Sequence, residues 1–343
     1  MSDYALQLEQ TARAMVAPGK GILAIDESLP TIKKRFDSIS VESTEENRRA
    51  YRDLLITAPG GGKYISGMIL FEETLRQSSS TGVPFAKALA TQGILTGIKV
   101  DKGTKNLAGH AGEVVTEGID GLRERLADYR VAGASFAKWR AVITIGPGIP
   151  SSGCIEANAH LLARYATHCQ EAGLVPIIEP EVLMDGDNTA EVCFDATERT
   201  LRSVFSELHR QRAVLEHTVL KVNMVVAGKK CPTQAGVQQV ANLTVKCLRH
   251  SVPAAIPGVV FLSGGQSAQL ATAHLNAMNA GYQNLPWPLS FSYGRALQDP
   301  CLKFWGGRPE NVEKAQRALL HRERCNSLAC DGQYSEAMEK EAA

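Results

Sequence analysis

The chain has 343 residues, 44% hydrophobic and 21% charged, with 37 basic against 36 acidic side chains and a formal net charge of +1. Such a balance is that of a soluble globular protein and supplies no long-range attraction to nucleic acid or to an anionic membrane, so any affinity for anions must be local. No apolar run reaches the ~18 residues needed to cross a bilayer, the start MSDYALQLEQTARAM is acidic where a secretory signal would be basic, and eight scattered cysteines without C-x-x-C spacing read as reduced thiols of a cytoplasmic protein.

In chain order, residues 3–16 read as a helix that precedes the first strand. Short buried strands are predicted at 21–26, 64–71, 94–101, 135–141, 174–181, 219–224, 259–263 and 289–293. Between them, 45–56, 118–130, 156–171, 189–212, 234–249 and 309–328 carry apolar residues at three- and four-residue spacing, which predicts amphipathic helices. Alternation of this kind implies parallel strands joined by crossover helices. An open doubly wound sheet alternates in the same way. Eight units without a composition shift or a proline-rich linker favour closure into a (β/α)8 TIM barrel, one domain over residues 1–330. Beyond Cys330 the chain turns small and polar, so 331–343 is expected to be a flexible tail.

Five of the predicted strands reach charged residues: Asp26, then Lys99 with Asp101, Lys138 with Arg140, Glu179 with Glu181, and Lys221. Residues two apart in a strand share a face, so each pair projects one way. In a barrel the C-terminal strand ends gather on one side and carry the active site. A purely structural plug of ion pairs is the alternative.

Lys221, flanked by Val219, Leu220 and Val222, is the first candidate nucleophile, because desolvation and nearby cations such as Lys138 and Arg140 push an amine toward its neutral form. Otherwise it is a protonated lysine bridged to Glu179 or Glu181. Lys99 and Lys138 are rival nucleophiles, though the charge two positions after each suits them better to electrostatic work. Glu179 and Glu181, spaced by Pro180, form a crowded carboxylate pair of the kind that tends to hold one proton for acid and base chemistry. Asp26 adds a third carboxylate, with Glu27 beside it a structural or solvated acid.

Phosphate binding is suggested by Leu262-Ser263-Gly264-Gly265-Gln266-Ser267 and by Ser292-Tyr293-Gly294-Arg295, whose glycines let backbone N–H groups approach an oxyanion after the seventh and eighth strands. LSGGQ also matches the signature of transporter ATPases, but no G-x-x-x-x-G-K-[ST] accompanies it. Lys33-Lys34-Arg35 is either a second phosphate contact or a solvated helix face. The eight histidines show no H-E-x-x-H or H-x-H spacing, so no metal is expected.

Taken together, GKGILAIDES, ISGMILFEETL, GIKVDKG, AKWRAV, LVPIIEPEVLMDGD, LKVNM, VVFLSGGQS, SFSYGRALQ and KFWGGRPENVEKAQ resemble class I fructose-bisphosphate aldolase almost end to end. That resemblance implies a (β/α)8 barrel, usually a homotetramer, that needs no metal or cofactor and takes sugar bisphosphates and triose phosphates, with sedoheptulose 1,7-bisphosphate as a plausible second substrate. It implies that Lys221 forms an imine with the substrate ketone. Glu179, with Glu181 beside it, would handle protons, Asp26 would act on the 4-hydroxyl, and Lys138 would be its charged helper. Lys99 and Arg140 would orient substrate or bind phosphate. Ser263, Gly264, Gly294 and Arg295 would hold the 1-phosphate, with Lys34, Arg35 and Thr31 near the 6-phosphate. The chain departs from the family in having His217 and Val222 around the lysine where glycine and proline are common, and Thr31 where serine is usual. It also lacks the terminal tyrosine of many relatives; its last tyrosine is Tyr334.

Overall fold

The computed structural model describes residues 4–340. The strands are β1 (Gly21–Ile25), β2 (Ile65–Leu70), β3 (Leu95–Lys99), β4 (Thr104–Asn106), β5 (Val114–Thr116), β6 (Phe136–Ile143), β7 (Val175–Val182), β8 (Val219–Val222), β9 (Val259–Phe261) and β10 (Leu289–Tyr293). Eight of them close into a parallel barrel in the order β1-β10-β9-β8-β7-β6-β3-β2, while β4 and β5 form a separate antiparallel hairpin. All eight barrel strands lie within two residues of their expected bounds. The hairpin was not expected, because Thr104, Lys105 and Asn106 are exposed and offer no apolar alternation.

Period-two alternation sorts each strand into two faces. Ile22, Ile69, Phe136, Ile177, Val219 and Val260 meet inside the barrel, where Leu8, Ala12 and Met15 of the helix Ala5–Met15 join the same cluster. That helix, expected as an extra element, thus closes the N-terminal end of the barrel. Gly97 is required here by close approach: a Cβ on it would lie 2.1 Å from the Phe136 ring. The opposite strand faces pack against the surrounding helices in a larger core that includes Leu23, Trp139, Ile178 and Phe291.

The helix Glu45–Ile56 has its expected bounds, and Leu122–Val131, Ser152–Glu171, Ala190–Arg210, Val237–Ser251 and Val312–Cys330 fall where helices were expected. Phe85–Thr91, Ala268–Gly281 and Arg295–Trp305 were not foreseen, and Leu29–Asp37 only as a helix face at 33–35. Pro30 and Pro300 interrupt the pattern of two of them, yet Pro30 sits in the first turn, where its missing N–H is harmless.

Residues 331–340, expected to belong to a flexible tail, have definite contacts. The Tyr334 amide donates to Asn276 (2.9 Å), its hydroxyl donates to Glu339 (2.8 Å), and Arg322 on the preceding helix pairs with Glu339. The remainder of that expected tail, 341–343, lies outside the described residues.

Glu323 is fully buried, and neither of its carboxylate oxygens finds a hydrogen-bond partner among the described residues. Burial pushes its carboxyl well above the ordinary glutamate range. The folded chain therefore retains a proton that the unfolded chain releases, and stability falls as pH rises from the ordinary range toward the folded pKa. Glu323→Leu is expected to stabilise the fold by about 1–3 kcal/mol near neutral pH, and by less in acid, as read from denaturant unfolding at about pH 5 and about pH 8. A gain that does not grow with pH would mean the carboxylate is solvated.

Candidate active site

The barrel strands deliver their charged residues to one mouth. Parallel register sets Lys99 beside Lys138 across β3 and β6, and Arg140 beside Glu179 across β6 and β7. Lys221 follows Leu220, which pairs with Ile178, so its side chain reaches the level of Glu179. The Lys221 amine lies 3.1 Å from Glu179 Oε1, and Lys138 Nζ lies 3.4 Å from Glu179 Oε2 and 2.6 Å from Asp26 Oδ2. Lys221, Lys138 and Glu179 are each no more than 4% exposed. Two lysines from different strands thus share one glutamate, and a second carboxylate holds the outer lysine.

Burial alone would raise the Asp26 carboxyl, but Lys138, Lys221 and Lys99 together bring it far below the usual carboxylate range. Lys138 is the reverse case. Burial would lower it, while Asp26, Glu179 and Asp101 hold its ammonium well above the usual lysine range. An amine so firmly charged is a poor nucleophile. Lys99, the other rival, spends its charge on Asp101 at 2.9 Å. The structure also forms the Lys221–Glu179 ion pair offered as the structural alternative.

One expectation is corrected. The spacing of Glu179 and Glu181 predicts a crowded pair sharing a proton, but in the structure each has its own cation: Lys221 and Lys138 for Glu179, and Arg140 for Glu181. Glu179 Oε2 and Ser292 Oγ are buried without a hydrogen-bond partner among the described residues, and both residues line the cavity. Glu27 is structural, gripped by Arg35 at 2.9 Å, Arg52 at 2.8 Å and Gln298 at 2.8 Å.

The cavity over this cluster measures about 860 Å³. Asp26, Thr31, Lys34, Arg35, Lys99, Lys138, Arg140, Glu179, Glu181, Lys221, Ser263, Gly264, Gly294 and Arg295 all line it. On its β9–β10 side, Gly264 and Gly265 have φ of +56° and +95°, and a Cβ on Gly264 would lie 2.2 Å from Met184 Cε. Only glycine suits that turn, which leads through Ser267 into the N-terminus of Ala268–Gly281. Gly294 likewise caps Arg295–Trp305, and Ser28 caps Leu29–Asp37, so helix N-termini favourable to anions converge on the rim. The basic run splits. Lys33 pairs outward with Asp37 at 2.8 Å, whereas Lys34 and Arg35 face the cavity.

The departures around the lysine fall away from this chemistry. His217 precedes β8, at the far end of the barrel, and Val222 packs in the outer core. Thr31 keeps a hydroxyl, 3.1 Å from that of Ser28. Tyr334 does not line the cavity.

Sequence reasoning missed Asp299 and Lys303, which line the cavity, and Lys229 at its edge. Arg295, Asp299 and Lys303 recur every four residues, the spacing of one helical face, but Pro300 obscured the helix. Lys229 comes from the loop after β8 and is tied to Asp185 at 2.7 Å. A Cβ on Gly265 would lie 2.6 Å from the Lys229 amine and 3.0 Å from the Arg295 guanidinium.

Fold and site define a (β/α)8 barrel enzyme with a buried amine–carboxylate cluster and an anion-binding rim. The family model for "Fructose-bisphosphate aldolase class-I" matches residues 7–343. A probable fructose-bisphosphate aldolase class 1 of Xanthomonas campestris is 60% identical over 96% of this chain and 98% of its own, and a fructose-bisphosphate aldolase of Dictyostelium discoideum is 53% identical over 97% and 94%. A co-crystal structure of fructose-bisphosphate aldolase from Plasmodium falciparum with TRAP and a small-molecule inhibitor superposes with a TM-score of 0.96 at 51% identity, covering 98% of this chain and 97% of that one. The chain belongs to the class I fructose-bisphosphate aldolase family, and its enzymatic activity is that of an aldolase.

Proposed function

We propose that the chain cleaves fructose 1,6-bisphosphate through a covalent imine on Lys221. The observation that carries this reading is the buried Lys221 amine 3.1 Å from Glu179, with the Lys138–Asp26 pair beside it. Glu179 takes one proton from Lys221 of the ion pair as Nζ adds to the ketone carbon, a second proton passes from the nitrogen to the ketone oxygen, and Glu179 returns the first to the resulting hydroxyl, which leaves as water from a protonated imine. Asp26 accepts the 4-hydroxyl proton, the 3,4 bond breaks, and its electron pair enters the protonated imine to give an enamine. Glyceraldehyde 3-phosphate leaves. Protonation of the enamine and hydrolysis of the imine then free dihydroxyacetone phosphate and the lysine. Lys138 steadies the carboxylates on either side of it throughout. With Tyr334 outside the cavity, Glu179, 3.1 Å from the Lys221 amine, is the group this reading assigns to return a proton to the enamine.

The two phosphates need cations at opposite edges of the mouth. Ser263, Gly264, Gly294 and Arg295 provide one edge from β9 and β10. Arg35 adjoins Gly294, so with Lys34 it adds charge near that edge. Lys99 and Arg140 stand across the barrel on β3 and β6, while Ser28 and Thr31, at the start of the helix after β1, add hydroxyls beside β10. Sedoheptulose 1,7-bisphosphate belongs to the same reading, because its extra hydroxyl-bearing carbon lies away from the ketone and lengthens only the half that leaves as aldehyde.

Purified protein should convert fructose 1,6-bisphosphate to equal amounts of both trioses, at an undiminished rate in excess chelator. Loss of turnover on chelation would contradict an amine-based electron sink. The tetramer implied by the family resemblance belongs to the same reading, as does a cytoplasmic location, which a cytosolic Arabidopsis thaliana aldolase at 53% identity supports; sedimentation of the purified chain tests the former.

Asp299 faces Arg35, Arg295 and Lys303 and competes with phosphate for them. Burial raises its carboxyl, against the pull of these three cations. Asp299→Asn is expected to lower KM for the bisphosphate about two- to fivefold with kcat unchanged; an increase in KM would mean the carboxylate positions the cations.

A further inference from the structure

Away from the cavity, on the outer surface of the barrel, one group of side chains has no part in the aldolase reaction. His321 and Cys325 lie four residues apart on the helix Val312–Cys330, so they share a face. The Cys325 sulfur is 3.7 Å from His321 Nε2. Glu339 comes to the same spot from the short turn Glu336–Lys340, and ligand atoms of all three lie within 4.8 Å of one another. No other group of three or more histidine, cysteine, aspartate or glutamate side chains is gathered in this way among the described residues. None of the three lines the catalytic cavity.

We propose that His321, Cys325 and Glu339 form a zinc site that clasps the C-terminal segment to the barrel. A tetrahedral zinc with bonds of about 2.3 Å to sulfur and about 2.05 Å to imidazole nitrogen separates those two atoms by about 3.6 Å, close to the spacing already present. The third ligand needs only a shift of about 1 Å, which a carboxylate on a single surface turn can supply. Thiolate, imidazole and carboxylate together select zinc over magnesium or calcium, which prefer oxygen throughout.

The surroundings suit the task. Arg322 contacts both Glu339 oxygens at 2.5 Å and the Tyr334 hydroxyl donates to Oε1 at 2.8 Å, so the carboxylate is oriented while one lone pair remains, on Oε2. Cys325 is buried beneath the segment, whereas His321 and Glu339 are half-buried and give the metal a route in. Binding forms three metal–ligand bonds and releases the Cys325 thiol proton to solvent, and water takes the fourth corner. Coupling residues on a rigid helix to Glu339 reduces the freedom of everything between Tyr334 and Lys340.

Equilibrium dialysis of the full chain against zinc under reducing conditions should give one ion per chain with a dissociation constant of about 1 μM or below. Hydrogen exchange in residues 333–340 should slow at least about tenfold when zinc is added. Cys325→Ala and Glu339→Gln, which keeps the side-chain shape and an oxygen for Arg322 to donate to, should each lose at least about tenfold in affinity and abolish the exchange effect, with aldolase turnover intact. Failure to bind near-stoichiometric zinc at about 10 μM free metal would overturn the proposal. So would binding that survives both substitutions, since it would place the metal on other cysteines or histidines.

Discussion

Lys221→Met is expected to lower kcat for fructose 1,6-bisphosphate cleavage by at least about 10⁴-fold, because the substitution removes the atom that bonds to substrate while keeping an unbranched side chain of similar length. Both the electron sink and the covalent tether disappear together. Phosphate contacts do not pass through this residue, so the substrate dissociation constant should change by less than about tenfold. Glu179 keeps Lys138 as a counter-ion at 3.4 Å, which guards against the cost of an isolated buried charge. A loss smaller than about tenfold in kcat would support the plainer role of Lys221 as half of a structural ion pair, and Lys99 would become the next candidate nucleophile.

Asp26→Asn is expected to reduce cleavage by about 10²- to 10⁴-fold, the usual worth of a positioned base, yet to leave imine formation largely intact. The separation follows from the geometry. Lys221 exchanges its proton with Glu179, 3.1 Å away, whereas Asp26 touches Lys138 at 2.6 Å. Single-turnover experiments with dihydroxyacetone phosphate should therefore still form adduct in the variant, while the bisphosphate is bound and not split. The depressed Asp26 carboxyl bears on stability as well. A carboxylate held below its unfolded value contributes stability above the ordinary aspartate range and loses it as pH falls through the folded value. That contribution is thus complete at neutral pH and disappears only in strong acid. Equal loss of adduct and cleavage in Asp26→Asn would show that the carboxylate supports Lys221 and not the 4-hydroxyl.

Much of this arrangement was legible in the chain because a barrel strand writes its two faces as a period of two. The pairs 99/101, 138/140 and 179/181 announced charged residues at strand ends, and the strands fell where apolar runs did. What the spacing could not supply was the partner of each charge. Nothing in Glu179-Pro180-Glu181 says that one acid turns to lysines and the other to Arg140, since that depends on register with β6 and β8. Lys138 is paired with Asp26, a residue over a hundred positions earlier, for the same reason. Helical faces were harder to read where proline intervened: Arg295, Asp299 and Lys303 line the cavity from a helix containing Pro300. Composition predicts a flexible tail over 331–343, and composition cannot register the contacts of Tyr334 with Asn276 and of Glu339 with Arg322.

Reduction with borohydride in the presence of dihydroxyacetone phosphate, followed by peptide mapping, tests the imine most directly. The account predicts one substrate mass per chain, fixed to Lys221 and absent from Lys221→Met. An unmodified chain, or adduct on Lys99 or Lys138 in the unsubstituted enzyme, would contradict it.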